Sequence, residues 1–389
     1  MSIRTRYGAL QCLYWMMNCV SFGYSTYFLL EAGFNAGKIG LILAAGGTAA
    51  AFIQNLLGKG VDRGRFSWKI CLLVLDAIYF ASCIAALLLD LKAILAAVFM
   101  LFLCAVNCFV PIASGASFYY ERRGIDANFG MARAGGSLGY AIISAVIGRV
   151  TVKAGYLSVP VIGIIVAVLL AAVILMMPCE KEVLEGGDTK EKGRSIMDMV
   201  KKYPGFILVV LGCTFALSFH LLINNYLITV IENVGGDASS MGFANSMAAL
   251  VEMPIMFIFS WILKKVSVQK VLMFASICYV VRSFMYFIAS NVFMIYIAQL
   301  FQIGTFALLI PASVYFTDKV MEKEDQMKGQ ALMGCSFTLG YVIGCMSGGY
   351  IIDFLGLKML FVAGIIFAVI GLVFMITGLA RCRKNVIAF

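Results

Sequence analysis

Apolar runs of roughly 20 residues, separated by short charged segments, recur along the whole of this 389-residue sequence. About 20 apolar residues in a helix cross the hydrocarbon core of a bilayer. Lipid offers no water to backbone N–H and C=O groups, so runs of this kind are confined to helices that satisfy those groups internally. The composition agrees: 62% of residues are apolar and 13% charged, with a mean hydropathy of +0.97. A soluble chain of this length could not bury that much apolar surface. The 38 glycines then read as close helix packing rather than as loops. The expectation is an all-α membrane protein with 12 transmembrane helices, and its first partner is the lipid bilayer.

The runs are not independent. Ser137-Leu-Gly-Tyr-Ala-Ile142 returns as Thr338-Leu-Gly-Tyr-Val-Ile343, 201 residues later, and Val161-Ile-Gly-Ile-Ile165 returns as Val362-Ala-Gly-Ile-Ile366 at the same offset. Gly155 meets Gly356 at that offset, Lys69 meets Lys270, and Pro111 meets Pro311 after 200. One short apolar match is weak, but several in one register mark a duplicated unit. Two copies in the same order predict two pseudo-symmetric six-helix bundles related by an axis along the membrane normal. The sequence divides accordingly into an N-terminal bundle over 1–178, a cytoplasmic linker over 179–204, and a C-terminal bundle with a short cytoplasmic tail over 205–389.

The net charge of +10 follows from sidedness and not from nucleic-acid binding. In this topology Lys38, Lys92, Arg149, Lys153 and Lys358 lie outside and Arg282 lies mid-helix, which leaves 24 of the 30 Lys and Arg on the inner side. That bias places both termini in the cytoplasm of a multi-pass protein of the cytoplasmic membrane. The 12 cysteines lie mostly within apolar runs and make no CxxC cluster, so they read as small packing residues and no metal is expected. Arg4 and Arg6 precede a long apolar segment that reads as a retained first helix and not as a cleaved leader.

In the first half, helices are expected over about Tyr7–Leu30, Ile39–Leu57, Ile70–Leu89 and Ile94–Tyr120, with helices 5 and 6 filling 130–177. In the second, they are expected over about Gly205–Ile231, Met241–Leu263, Val271–Ala289, Phe293–Phe316, Gly329–Ile352 and Met359–Leu379. Gly58-Lys-Gly-Val-Asp62-Arg63-Gly64-Arg65 reads as a tight basic loop between helices 2 and 3. Its Gly58, Asp62 and Arg63 are candidate gating residues, because Asp62 can accept bonds from an arginine or a helix N-terminus. The row Gly340, Gly344, Gly348 on helix 11 is expected to admit another backbone, that of helix 2.

Ionisable groups at membrane depth are costly and point to function. Few qualify: Asp76, Arg133, His220, Glu252 and Arg282, with Glu121 at an inner end. No nucleophile–base cluster, no HExxH, no GxSxG and no phosphate loop accompany them, which argues against an enzyme. On helix 5, Arg133, Ser137, Tyr140 and Ser144 share one helical face. An arginine fork can grip a hydroxylated solute and a tyrosine can stack on it, or Arg133 can simply pair with Glu121 or Asp126. On helix 7, His220 and Asn224 share a face, with Asn225 beside them. On helix 8, Glu252 stands two residues before Pro254, with Asn245 two turns earlier. Arg282, mid-helix 9, is its expected partner. Glu252, Arg282 and His220 are the candidates for proton coupling. Asn107, Asn224, Asn225, Asn245, Gln299 and Gln302 join Arg133 and Tyr140 as candidate solute ligands. No cofactor is expected beyond a proton gradient.

These residues carry a resemblance. The Gly58–Arg65 segment resembles the G-x-x-x-D-R-x-G-R signature of the major facilitator superfamily, one residue short after Asp62-Arg63. Asn128-Phe-Gly-Met-Ala-Arg133 is similar to the start of helix 5 in the lactose permease branch, the oligosaccharide– and nucleoside–proton symporters. The resemblance implies a sugar-gripping role for Arg133, a stacking role for Tyr140, and a coupling role for Arg282 in Val281-Arg282-Ser283. The departures are specific. The branch's helix 4 acid falls near Ser117, its helix 10 histidine and glutamate near Gln302 and Gly304, and its helix 8 acid near Ala249, one turn before Glu252. Galactoside specificity is therefore not implied, and the proton site has moved to Glu252 or His220 or been lost. Asp76 has no counterpart.

The expected function is a monomeric secondary transporter that moves a small neutral polar solute, sugar- or nucleoside-like, by proton-coupled alternating access. The alternative is a proton-driven efflux pump for amphipathic compounds, which 13% aromatic residues and 22 methionines permit.

Overall fold

This computed structural model describes residues 2–62, 64–89, 91–179 and 196–387, without the side chains of 62, 196 and 383–387. The described residues form helices and turns and no strands. Eleven helices among them are long and apolar enough to cross a membrane. The twelfth, helix 1, is long enough only when its interrupted parts are joined: Ile3–Asn18, a π turn over Cys19–Gly23, and Tyr24–Glu31. The protein is thus a multi-pass membrane protein of twelve helices. Large apolar side chains such as Phe52, Leu56 and Phe354 stand more than two-thirds exposed, as lipid-facing positions require.

The sequence repeat reappears as geometry. Helix 3 (Trp68–Leu88) and helix 9 (Val268–Ile288) have 21 residues each and start after Ser67 and Ser267 in the same extended conformation. Helix 5 (Phe129–Ala154) and helix 11 (Gln326–Leu355) end on Gly155 and Gly356, at φ/ψ of 79°/174° and 81°/169°. A side chain at that φ would strain the backbone, so glycine recurs there. Tyr24 donates its hydroxyl to the Ser144 carbonyl at 2.7 Å, and Tyr226 donates to the Cys345 carbonyl at 2.8 Å.

The chain forms two compact units, Met1–Gly187 with Gly236–Leu250, and Asp188–Gly235 with Val251–Phe389. In the first, helix 1 packs on helix 5, helix 2 (Ala36–Asp62) on helix 4 (Lys92–Glu121), and helix 3 on helices 4 and 6 (Ser158–Met176). Helix 5 also meets the first half of helix 8 (Ala238–Lys265). A Cβ on Gly148 would lie 2.6 Å from the Ala238 carbonyl oxygen, and the Ser246 hydroxyl donates to the Ala141 carbonyl at 2.5 Å. The C-terminal carbonyls of helix 6 are held by cations, with Arg6 on Met176 at 2.6 Å and Lys69 on Leu175 and Met177 at 2.8 and 2.7 Å. Positive charge there complements the helix dipole.

In the second unit, helix 7 (Pro204–Asn225, then Leu227–Glu232) packs on helices 11 and 12 (Leu357–Ile387), and helix 9 packs on helices 10 and 12. The Gly340, Gly344, Gly348 row lies against helix 7, contrary to the expectation of helix 2. A Cβ on Gly344 would sit 2.8 Å from the Ser218 carbonyl oxygen and one on Gly348 would enter the Tyr226 ring at 2.6 Å. Helix 10 is also interrupted: Val292–Leu300, a 3₁₀ turn over Phe301–Gly304, then Phe306–Val320. Just before helix 7, Lys202 reaches Glu322 at 2.5 Å and the buried Asp325 at 3.2 Å, while the Tyr203 hydroxyl donates to Asp325 at 2.9 Å. Partial burial pushes the Tyr203 phenol up to about 12.

Candidate functional site

In the second unit the polar residues of helices 7, 8, 9 and 10 converge on Arg282, which is 1% exposed. Arg282 Nη1 donates to Gln302 Oε1 at 2.5 Å and to Thr305 Oγ1 at 3.2 Å; Nη2 donates to Gln299 Oε1 at 2.6 Å and to the Tyr286 hydroxyl at 3.4 Å. A buried guanidinium needs oxygens around it, and here amides and hydroxyls supply them. The expected link to Glu252 runs through Gln302, whose Nε2 donates to Glu252 Oε1 at 2.8 Å. Glu252 lies in helix 8, which continues past the internal Pro254.

His220 lies flat on Phe306, with ring centroids 4.7 Å apart, and its Nδ1 is 3.4 Å from Arg282 Nη1. A guanidinium only donates, so Nδ1 accepts and the ring proton sits on Nε2. Nε2 is 3.0 Å from the Asn224 amide, which then turns its oxygen to the ring, an assignment that rests on the hydrogen-bond network. A second ring proton would aim N–H at the guanidinium. In this arrangement His220 serves as a neutral acceptor. Asn225 points elsewhere, its Nδ2 2.9 Å from Cys345 Sγ on helix 11.

In the first unit, Arg133 lies 3.8 Å over the Trp15 ring and donates to the Ser137 hydroxyl at 3.1 Å. Asp126, one of its possible partners, pairs with Arg4 at 2.6 Å. Trp15 continues into an aromatic stack, edge-on to Tyr14, which stacks flat on Phe109 at 5.2 Å. Helix 5 leaves room for the indole because residue 136 is glycine; a Cβ there would lie 2.3 Å from the ring. Helix 5 starts at Asn128, the one described non-glycine residue with positive φ (50°), whose side chain caps the Met131 amide at 3.2 Å. Asparagine tolerates that conformation and can cap from it. Tyr140 and Asn245 meet at the π turn of helix 1: a Cβ on Gly23 would be 3.3 Å from the Tyr140 hydroxyl and 3.8 Å from Asn245 Nδ2. Interrupted helix turns of this kind are frequent at functional sites. Asn107 donates to the Leu103 carbonyl of its own helix at 3.0 Å.

The basic loop is shorter than expected. Helix 2 runs through Gly58 to Asp62, and the turn closes with Gly64 N on the Val61 carbonyl and Arg65 N on the Gly60 carbonyl, both at 2.9 Å. Gly58 is therefore helical, because a glycine alone does not end a helix that lipid favours. Arg63 lies outside the described residues. Among the described residues no three His, Cys, Asp or Glu side chains come together to hold a metal ion. Sequence reasoning missed Trp15, Tyr286 and Thr305. Gly136, small and on the helix facing helix 1, was the available signal for Trp15.

A model of the MFS_1 like family matches residues 7–363. The chain belongs to the MFS_1 like family. It is a transporter of the major facilitator type, as the resemblance implied. The "Uncharacterized transporter YwbF" of Bacillus subtilis (strain 168) is 22% identical over 344 residues, covering 86% of this chain and 82% of that one. Among solved structures, a mutant of the nucleoside transporter NupG superposes with a TM-score of 0.83 at 16% identity, covering 97% of this chain and 99% of the other. A bacterial homologue of the human lysosomal transporter Spinster, inward-facing and unoccupied, gives 0.71 at 12% identity, covering 98% and 97%. These likenesses show that this MFS_1 like protein has the fold of the superfamily.

Proposed function

We propose that this protein is a proton-coupled symporter of the cytoplasmic membrane, with both termini inside, that moves a small neutral polar solute of the nucleoside or sugar kind by alternating access. The observation that carries the reading is the Arg282 web. A cation is buried among neutral amides in a membrane helix, one glutamine away from the carboxylate of Glu252. Such groups are retained at membrane depth for ion or substrate handling. Glu252 is the proton carrier, and His220, already used as an acceptor from Arg282, orients it. Arg133 on its Trp15 base, with Tyr140 and Asn245, supplies a flat cationic surface and neutral hydrogen-bonding groups suited to a planar or ring-shaped hydroxylated solute. The structural likeness to a nucleoside transporter supports that class.

The test is a panel of nucleosides, sugars and lipophilic cations screened by thermal shift on the purified protein, followed by counterflow in proteoliposomes. Stabilisation and exchange of a nucleoside or sugar, lost in Arg133→Ala, is the expected result. Extrusion of lipophilic cations with no response to hydrophilic solutes would replace this reading with the efflux pump.

A further inference from the structure

Both ends of the Gln302 amide are engaged by opposite charges, and Gln302 lies in the 3₁₀ turn where helix 10 loses its α-helical hydrogen bonding. The orientation of the amide is forced. Arg282 offers only N–H, so the end that meets it at 2.5 Å is the oxygen, and the NH₂ is left to face Glu252 at 2.8 Å. The turn is narrow and irregular. Gly304 lies close on helix 9, where a Cβ would be 3.1 Å from Cys278 Sγ, and Thr305 follows at φ −108°, ψ −99°, outside the helical region. Thr305 is itself tied to Arg282 at 3.2 Å.

We propose that Gln302 is the positioning residue that carries the protonation of Glu252 to the break in helix 10, so that the turn acts as a hinge latched through one amide to helices 8 and 9. The inference rests on the proton-coupled reading above. An ionised Glu252 accepts a charge-assisted bond from Nε2, roughly twice as strong as a neutral one, and holds the turn to helix 8. A proton arriving on the Glu252 carboxylate removes that charge. The amide keeps its bond to Arg282 but loses its firm hold on helix 8, and the turn is released. No proton passes through the amide. Tyr279 of helix 9 lies within electrostatic reach of both Glu252 and Arg282, and His220 of helix 7 is held as the acceptor from Arg282. A neutral amide is what allows one residue to face a cation and a carboxylate together. A carboxylate at 302 would have no N–H for Glu252, and a lysine would have no oxygen for Arg282.

Hydrogen–deuterium exchange of the full-length protein in detergent, followed over residues 298–308, tests this without a transported solute. Wild type should exchange there at least about threefold faster at about pH 6 than at about pH 8 after correction for intrinsic rates. Glu252→Gln and Gln302→Met should exchange fast at both. Gln299→Met, which removes an Arg282 partner without touching the bridge, should keep the pH response. A wild-type segment indifferent to pH, or Gln302→Met with the wild-type response, overturns the proposal. If the exchange response holds while a pH gradient drives no uptake, the bridge stands and the proton-coupled reading falls.

Discussion

Replacing Arg282 with lysine should destabilise the protein at least as much as replacing it with methionine, although lysine keeps the charge. Two short bonds from different nitrogens, to Gln302 at 2.5 Å and Gln299 at 2.6 Å, dominate the web. Each charge-assisted bond is worth about 1.5–3 kcal/mol. A lysine ammonium has one nitrogen and cannot reach both amides with the geometry of the fork, so it loses about 2 kcal/mol and still buries a cation. Methionine loses both bonds, about 4 kcal/mol, but it also sheds the several kcal/mol that desolvating a buried cation costs. The two terms nearly cancel, and Gln299 and Gln302 can bond each other. Thermal unfolding in detergent, read by tryptophan fluorescence, should therefore rank the lysine variant at or below the methionine variant, with the lysine variant below wild type and the methionine variant near it. A methionine variant lying below the lysine variant, and about 3 kcal/mol or more below wild type, would mean that the guanidinium is a net stabiliser, which would remove the argument that it is kept for function.

Three further outcomes follow from the packing. Tyr24→Phe and Tyr226→Phe each remove one hydroxyl bond to a helix carbonyl, at 2.7 and 2.8 Å, and should cost about 1 kcal/mol apiece; a severalfold difference in denaturation free energy between them would argue against equivalent roles in the two halves. Asp325→Asn weakens the bonds from Lys202 and Tyr203 at the start of helix 7 and should lose about 1–2 kcal/mol, checked by thermal shift at neutral pH. The Tyr203 phenol, raised to about 12 by partial burial, stays protonated in the fold above the pH at which an unfolded tyrosine ionises near 10. Its contribution is therefore full below about pH 10 and fades as pH rises toward about 12, so Tyr203→Phe should flatten the alkaline limb of the stability profile.

Helix number and the duplication were legible because both rest on long-range pattern. Lipid forces helices on apolar runs, and Gly155 with Gly356 marks the same turn twice. The breaks in helices 1, 7 and 10 were not legible, because a π turn, a 3₁₀ turn or a one-residue turn at Tyr226 leaves hydropathy unchanged. The membrane-depth ions were found one by one, since charge is conspicuous in apolar sequence. Their connection was not, because Gln302 is uncharged and an amide reveals its two partners only in three dimensions. Trp15 escaped for a related reason: an aromatic residue in a membrane helix looks like lipid-facing bulk until Arg133 is seen above it. The glycine row of helix 11 was read correctly as a close-packing stripe but given the wrong neighbour, since a stripe names a small surface and not the helix that covers it.

The central claim is that solute movement through this protein is tied to protonation of Glu252. Solute-dependent proton flux measures it directly: proteoliposomes holding a pH-sensitive dye are given solute on one side with no imposed gradient. Wild type should acidify the lumen as the solute enters, and Glu252→Gln should exchange solute at a comparable rate with no change of lumenal pH. Acidification that persists in Glu252→Gln, or wild-type solute entry without proton movement, would contradict the account.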